Sequence, residues 1–509
     1  MRGCGSERTL RNAMKDLKGL TIRGGLARLS AQAANFIIRG GSLVILARLL
    51  SPKDFGLVGM VTAFTGILLL LRDFGLSSAA IQRATVTDEQ ISTLFWINLL
   101  VGTLLGLLTV ATAPLVAAFY HEPRLFAVTA ALAVGFLFNA AGVQHSALLQ
   151  RQMRFTTMAV ITIVSLAVGN ALAIVGARAG YGYWALVAMT VSVPLTATIG
   201  AWLSTGWVPR MPQRGAGIGS MMRFGGIVSL NSLVAYFAYN ADKMLIGRFW
   251  GSNVLGIYGR AYQLTNIPTE NLNAAVGEVA FAALSRLQDD PIRLKSYFLK
   301  GYSLVLAMTL PVTIACAVFA NDVVLVLLGP KWMDAVVIFR LLAPTIMIFA
   351  IINPMGWLLV SLGLVKRSLN IALVFSPTLI AGYLLGLPYG PKGVAFAYSA
   401  VMALWVIPFI AWCVRGTAVS LWDVLQTMFI PLGYGVLAGA LALVVQVACG
   451  NFLAPLPRLV LETSVLLTAF FGMLFFVGKQ KTFYQNLIRG LRGPSLSKSA
   501  ELNLDLGQT

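Results

Sequence analysis

The chain has 509 residues, 58% of them hydrophobic and only 11% charged, with a formal net charge of +20 at pH 7. An ordinary soluble domain carries about 25% charged residues, and polar surface this scarce excludes a soluble globular protein of this length. The positive balance does not point to nucleic acid, because cytoplasmic loops of membrane proteins collect Lys and Arg and no basic domain outside the apolar runs could hold a duplex.

Residues 1–23 are polar and basic, with no short apolar core and no A-x-A cleavage site. They read as a retained cytoplasmic tail rather than a signal peptide. Apolar runs of about 20 residues then recur to the end of the chain, each long enough to cross a hydrocarbon core roughly 30 Å thick. The expected fold is an all-α polytopic membrane protein with about fourteen transmembrane helices. In the first half the spans fall near 26–48, 55–78, 91–113, 125–149, 156–178 and 183–205. In the second they fall near 224–247, 254–277, 299–320, 336–361, 367–387, 393–414, 424–447 and 456–478. Ser51-Pro52 supplies an N-cap and a first-turn proline for the second span. Thr87-x-x-Gln90 is a capping box before the third. Asp290-Pro291 repeats the cap-and-proline arrangement, and predicts an interfacial helix leading into the ninth span.

One stretch occurs twice. ARLLSPKDFGLVG (Ala47 to Gly59) returns as GRFWGSNVLGIYG (Gly247 to Gly259), with Arg48, Gly56 and Gly59 matching Arg248, Gly256 and Gly259 at a separation of 200. Arg23 and Gly25 match Arg223 and Gly225 in the same register. Such a repeat marks an internal duplication. The copies start six spans apart, an even number, so both cross in the same direction and the repeat is parallel. The expected domains are the tail 1–23, a six-helix lobe 24–205, a cytoplasmic linker 206–219 and a second six-helix lobe 220–414. Two further helices at 415–478 and a cytoplasmic tail at 479–509 complete the chain. A substrate path is expected between the lobes, opening alternately to each side. With the N-terminus inside, about 23 Lys and Arg fall on the cytoplasmic side against 8 outside, which places both termini in the cytoplasm.

Ionisable residues within the spans are Arg28, Arg39, Arg72, Asp73, Arg223, Asp242, Lys243, Arg260 and Arg340. A charge in hydrocarbon costs several kcal/mol, so each must face a cavity, find a partner or snorkel to the interface. Arg39, mid-span, lines a substrate cavity, pairs with Asp242 or packs helices. Arg28, Arg72 and Arg223 lie towards cytoplasmic helix ends, with Arg260 deeper, and form a basic vestibule suited to a phosphate-bearing substrate or simply snorkel. Asp242 and Lys243 point about 100° apart on a helix and cannot easily neutralise each other. Asp242 is a candidate proton- or sodium-linked carboxylate, and its alternative is an ion pair with an arginine. Asp73, beside Arg72, is a second ion-coupling candidate, and Lys243 joins the arginines as a substrate-binding candidate. Gly56, Gly59 and their counterparts allow close helix packing.

No phosphate loop of the form G-x-x-x-x-G-K-[ST] is present, and no loop is large enough to house a catalytic domain, so the chain is not expected to be an enzyme. Cys4, Cys316, Cys413 and Cys449 show no metal or disulfide spacing, and His121 and His145 lie in different loops. No cofactor or metal is expected.

ARLLSPKDFGLVGM, RDFGLSSAAIQR (Arg72 to Arg83) and DEQISTLFWIN (Asp88 to Asn98) resemble the polysaccharide-exporter branch of the multidrug/oligosaccharidyl-lipid/polysaccharide superfamily. ALLQRQMRF (Ala147 to Phe155), ALSRLQDDPIRLK (Ala283 to Lys295) and LLGPKWMDAVVIFRLLA (Leu327 to Ala343) continue the likeness, while the last two spans match in hydropathy alone. The resemblance implies two parallel six-helix lobes with two added helices. It also implies a flippase for undecaprenyl-diphosphate-linked oligosaccharide in a bacterial inner membrane, serving exopolysaccharide, capsule or lipopolysaccharide assembly. The partners implied are the lipid-linked oligosaccharide, membrane lipid, and the polysaccharide polymerase and chain-length machinery. Asp73, Asp242 and Arg340 follow the family's pattern; Arg39 and Arg260 depart from it. A multidrug or peptidoglycan-precursor exporter of the same superfamily is the alternative, and a membrane enzyme of polysaccharide assembly a more remote one.

Overall fold

The computed structural model describes residues 34–71, 87–212, 219–449 and 453–477. Both predicted tails, together with Arg28, Arg72 and Asp73, lie outside them. Among the described residues the chain is helical throughout, without strands. The helices are α1 (34–49), α2 (Pro52–Leu71), α3 (Asp88–Tyr120), α4 (Arg124–Arg151), α5 (Phe155–Arg178), α6 (Tyr183–Thr205) and α7 (Gly219–Arg286). They continue as α8 (Pro291–Val318), α9 (Ala320–Leu327), α10 (Ala335–Leu342), α11 (Pro344–Ser361), α12 (Val365–Gly386), α13 (Gly390–Val414), α14 (Leu421–Cys449) and α15 (Pro455–Gly472). Among the described residues, ten stretches are long and apolar enough to cross a membrane, and one of these, Lys366–Val414, takes in α13 and nearly all of α12. The molecule is an all-α polytopic membrane protein.

Local chemistry places the helix starts. Thr87 and Gln90 form the reciprocal capping box: each side chain accepts from the other's backbone N–H. Asp290 accepts from the Arg293 N–H, with Pro291 in the first turn. Ser51 caps α2, and Asp54 returns the bond by accepting from the Ser51 backbone N–H at 3.0 Å. Ser420 and Asp423 repeat that arrangement at α14. Helix α8 runs unbroken from Pro291 to Val318, so the expected interfacial helix and the ninth span are one element. Its 28 residues extend about 42 Å at 1.5 Å per residue. Helix α7 is two helices in one: Gly251 has φ 79° and ψ 177°, outside helical geometry, and turns the chain between the two halves.

The chain packs as two compact units. The first takes Met1–Asn266, Val323–Thr345 and Leu364–Val406. Within it α3 lies on α4, α5 on α6, and α4 on α6. The second takes Ile267–Asp322, Ile346–Gly363 and Ile407–Thr509. Within it α14 packs on α8 and α15, and Gly435 and Gly439 bring α14 against Leu310 and Ile314 of α8. These borders follow packing, whereas the sequence lobes follow the duplication, and the two divisions cut the chain at different places.

The duplicated stretches meet inside the first unit. A Cβ on Gly56 would stand 1.6 Å from the carbonyl oxygen of Ser252, and one on Gly256 would stand 1.8 Å from that of Pro52. Pro52 and Ser252 are themselves repeat partners, as are the two glycines. The copies therefore cross reciprocally, each glycine receiving the other's backbone one turn earlier. Gly59 has only an ordinary van der Waals neighbour, Leu255, and Gly259 has none within 4 Å. The close approach rests on the first glycine of each pair.

The arginines of the two copies are placed just as reciprocally. Arg48 Nη2 donates to the Val326 carbonyl in the last turn of α9 at 2.9 Å. Arg248 meets His121, the left-handed residue that caps α3. Both cations thus lie at helix C-termini, where the unpaired carbonyls favour positive charge. Trp332, fully buried, donates from Nε1 to the Ala47 carbonyl at 2.8 Å, and Tyr120 lies against Gly247, the counterpart of Ala47.

Gly56→Ala or Gly256→Ala should lower the thermal unfolding midpoint of the purified protein, through overpacking of about 1–3 kcal/mol or more. Gly259→Ala should leave it unchanged. Equal midpoints for all three variants would rule out the reciprocal crossing.

Candidate functional site

The first unit holds a fully buried carboxylate. Asp242 lies in the first half of α7, and its Oδ2 accepts from the Tyr258 hydroxyl at 2.7 Å. Tyr258, also fully buried, comes from the second half of α7, so the turn at Gly251 is what folds the hydroxyl back onto the acid. Oδ1 of Asp242 has no hydrogen-bond partner. Around this pair stands a wall of aromatic rings. Tyr258 and Tyr262 stack at 6.4 Å, Tyr262 meets Tyr398 at 6.2 Å, and Tyr398 meets Tyr383 at 5.8 Å. The hydroxyls of Tyr383 and Tyr398 are buried without hydrogen-bond partners. Helices α7, α12 and α13 thus converge on a buried cluster of rings, each with an apolar body and a polar tip.

Lys243 follows the turn direction expected for a neighbour on a helix. Its Nζ donates to Asn240 Oδ1 at 2.8 Å and stands 4.2 Å above the Tyr262 ring. Lys243 and Asp242 therefore reach the same tyrosine cluster, one at Tyr262 and the other at Tyr258. Arg260 goes elsewhere. Its guanidinium lies 3.6 Å over the Phe55 ring and bonds to Gln263 Oε1, and Phe55 in turn meets Trp332 at 5.5 Å. Arg260 is thereby built into the crossing of the duplicated stretches, where stacking on a ring offsets part of the cost of taking the cation out of water. Arg39 is exposed on α1. Arg223 is on α7, but its side chain lies outside the described residues, as do Arg28, Arg72 and Asp73. Arg340 is exposed in the last turn of α10.

Other polar clusters have structural roles. His145, expected in a loop, lies inside α4 and stacks on Trp202 at 4.2 Å, with Phe95 and Trp207 at its edges, and its Nε2 meets the Trp207 carbonyl at 3.2 Å. The imidazole fastens α4 to the end of α6. In the loop before α4, the Arg124 guanidinium holds the Glu122 carboxyl below the usual carboxylate range through a paired hydrogen bond. The second unit contains a small cleft among Thr269, Thr309, Asn353 and Trp357, with Val305, Ile346 and Ala350. None of the residues singled out from the sequence lines it. Among the described residues there is no group of three His, Cys, Asp or Glu that could hold a metal ion.

Several buried polar residues are absent from the sequence-based set. The tyrosines 258, 262, 383 and 398 carry no charge and so leave no mark in a charge inventory, although Tyr258 and Tyr262 share a helix face at i, i+4. Glu462 does leave a mark: it is a lone carboxylate within the apolar run 456–478. It is fully buried on α15, in the second unit.

Comparison with known proteins adds to this geometry. A family model described as polysaccharide biosynthesis protein matches residues 45–337. The teichuronic acid biosynthesis protein TuaB of Bacillus subtilis is 30% identical over 315 residues, 59% of this chain and 62% of TuaB, so this match spans less than two-thirds of that relative. The lipopolysaccharide biosynthesis protein WzxC of Escherichia coli is 26% identical over 400 residues, covering 76% of this chain and 80% of WzxC. The succinoglycan biosynthesis transport protein ExoT of Rhizobium meliloti is 24% identical, over 64% of this chain and 66% of ExoT. Among solved structures, the inward closed conformation of the lipid II flippase MurJ aligns with a TM-score of 0.70 at 14% identity, covering 92% of this chain and all of MurJ. An inward-facing multidrug transporter of the MATE family aligns with a TM-score of 0.62 at 16% identity, over 79% of this chain and 99% of its own. At these identities the structural likeness concerns the fold.

Tyr258→Phe should destabilise the protein by about 1–3 kcal/mol, because it leaves both oxygens of a buried carboxylate unpartnered. Asp242→Asn keeps an acceptor for the hydroxyl and should cost less. Thermal unfolding of the two variants in detergent measures the difference, and the reverse order would contradict the pairing.

Proposed function

This chain belongs to the polysaccharide biosynthesis protein family, the polysaccharide-exporter branch of the multidrug/oligosaccharidyl-lipid/polysaccharide superfamily, and from that premise we propose that it flips an undecaprenyl-diphosphate-linked oligosaccharide across a bacterial inner membrane. The movement runs from the cytoplasmic to the periplasmic leaflet and feeds exopolysaccharide, capsule or lipopolysaccharide assembly. The observation that carries the reading is the family match over residues 45–337, together with relatives named for the biosynthesis of three different surface polysaccharides. The chain is a multi-pass membrane protein of a transporter family, not an enzyme.

In this reading the diphosphate docks on cationic side chains drawn from Arg28, Arg39, Arg72, Arg223, Lys243 and Arg260. Arginine suits that role because its planar fork binds phosphate oxygens in pairs. The polyprenyl chain trails in lipid while the headgroup crosses by alternating access of the two repeated halves, with both termini in the cytoplasm. Asp242 couples the cycle to a proton or sodium gradient, with Asp73 as a second carboxylate. Support for Asp242 comes from its burial beside Tyr258 with one oxygen unpartnered, since a buried carboxylate in that state favours taking up a proton or a cation. Lys243 is supported by its position over Tyr262, on the rim of the same cluster.

Alanine in place of Arg28, Arg39 or Arg223, one at a time, should lower polymer export several-fold while the protein stays in the membrane at normal level. Normal export by all three variants would defeat the cationic docking assignment. For coupling, Asp242→Asn should block export driven by an imposed gradient; a variant insensitive to collapse of both proton and sodium gradients, exporting at the wild-type rate, would overturn it.

A further inference from the structure

A second buried acidic group lies in the second unit, apart from every residue assigned above. Asp322, 1% exposed, opens α9, and Glu462, 0% exposed, lies in the third turn of α15. Arg458 precedes Glu462 by four residues on the same helix, so the two side chains share a face. Its guanidinium grips Asp322 with both ends of its fork, Nε to Oδ2 at 2.9 Å and Nη2 to Oδ1. Neither oxygen of Glu462 has a hydrogen-bond partner.

One cation therefore serves two buried carboxylates. Both cannot be ionised there without leaving a net negative charge out of water, which costs several kcal/mol. The two acids are also unequal. Asp322 is held by a bidentate arginine and stands in the N-terminal turn of α9. Glu462 lies within a helix, between apolar neighbours, and faces the like charge of Asp322. Environments that push two acids apart assign the proton to the less stabilised one. We propose that Asp322, Arg458 and Glu462 form a proton-binding site in the second unit, with one exchangeable proton held on Glu462.

Among the described residues, the helices packed on α15 bring no competing charge to this end. On α14 the acidic Asp423 is bonded by Lys295 of α8. The cations Arg293, Lys295 and Lys300 lie in the first three turns of α8, at the end opposite the one that leads into Asp322. Tyr434 of α14, and Tyr297, Tyr302 and Cys316 of α8, complete the titratable side chains described on these two helices. Arg458, whose side chain is 21% exposed, is the least buried of the three. Release of the proton leaves a carboxylate one helical turn from that guanidinium, so proton loss is compensated by Arg458 moving towards Glu462 and loosening its hold on Asp322.

The site is read from the neutral carboxyl itself, without any transport assay. Infrared difference spectra of the full-length protein in lipid nanodiscs, recorded through a pH titration in light and heavy water, should contain a protonated-carboxyl band at neutral pH. Glu462→Gln should remove that band, and Asp242→Asn should leave it in place. Asp322→Asn removes the like charge and frees Arg458, so it should move the band's titration midpoint down by about one pH unit or more. It serves as the second readout if Glu462→Gln accumulates poorly. A neutral-pH spectrum unaltered by Glu462→Gln, or a midpoint unmoved by Asp322→Asn, overturns the proposal. Neither result bears on whether Asp242 couples export, so the two readings fail separately.

Discussion

Two glycines facing two backbone carbonyls set the geometry of the first unit. At Gly56 and Gly256 the chain approaches itself so closely that no Cβ fits, and each approach is the image of the other under the duplication. In a membrane such contacts matter more than apolar side chains, because lipid solvates leucine as well as protein does and close backbone packing has to supply the attraction. The rest of the neighbourhood is arranged around this crossing. Arg48 and Arg248 reach the C-termini of α9 and α3, Trp332 and Tyr120 fill the flanks, and Arg260 lies over Phe55 beside it. A duplication of sequence has become a reciprocal joint.

The charged residues of the spans divide by how they are accommodated. Arg48 and Arg248 meet helix ends, and Arg260 stacks on a ring, so much of their charge is already answered within the protein. Asp242 differs because only one of its oxygens is answered, by a hydroxyl delivered by the turn at Gly251. Glu462 differs further, since neither oxygen is answered although an arginine lies one turn away. Incomplete satisfaction of a buried acid is costly, and it persists where protonation or ligand binding relieves it. The two units each contain one such acid, reached by different means.

Much of the fold is legible in the sequence. Most apolar runs after residue 87 coincide with helices to within a few residues, although α3, the second half of α7 and α8 run past the expected ends by two turns or more, and Thr87, Asp290 and Ser51 cap the helices they were expected to cap. These features are local: hydrophobic length and the hydrogen-bonding of a first turn involve residues a few positions apart. The candidate site was legible only in part. Asp242 and Lys243 stand out as charges in an apolar run, but the tyrosines that surround them do not, because a tyrosine in a span is unexceptional until its hydroxyl is seen pointing at an acid. For Arg260 the sequence records depth in a span, and only the structure shows the ring beneath it.

The sequence alone determined that the chain is a helical membrane protein, that it contains a parallel duplication, and that it resembles the family to which it belongs. Length, hydropathy and repeat spacing carry those conclusions, since each is a property of order along the chain. Only the tertiary structure decided that Gly56 and Gly256 face each other's backbones while Gly59 and Gly259 do not. It alone paired Asp242 with Tyr258, and Asp322 with Arg458, leaving Glu462 without a bond. Those are contacts between residues 16 to about 200 positions apart, and the i, i+3 and i, i+4 periodicities that a sequence reveals do not reach across such distances.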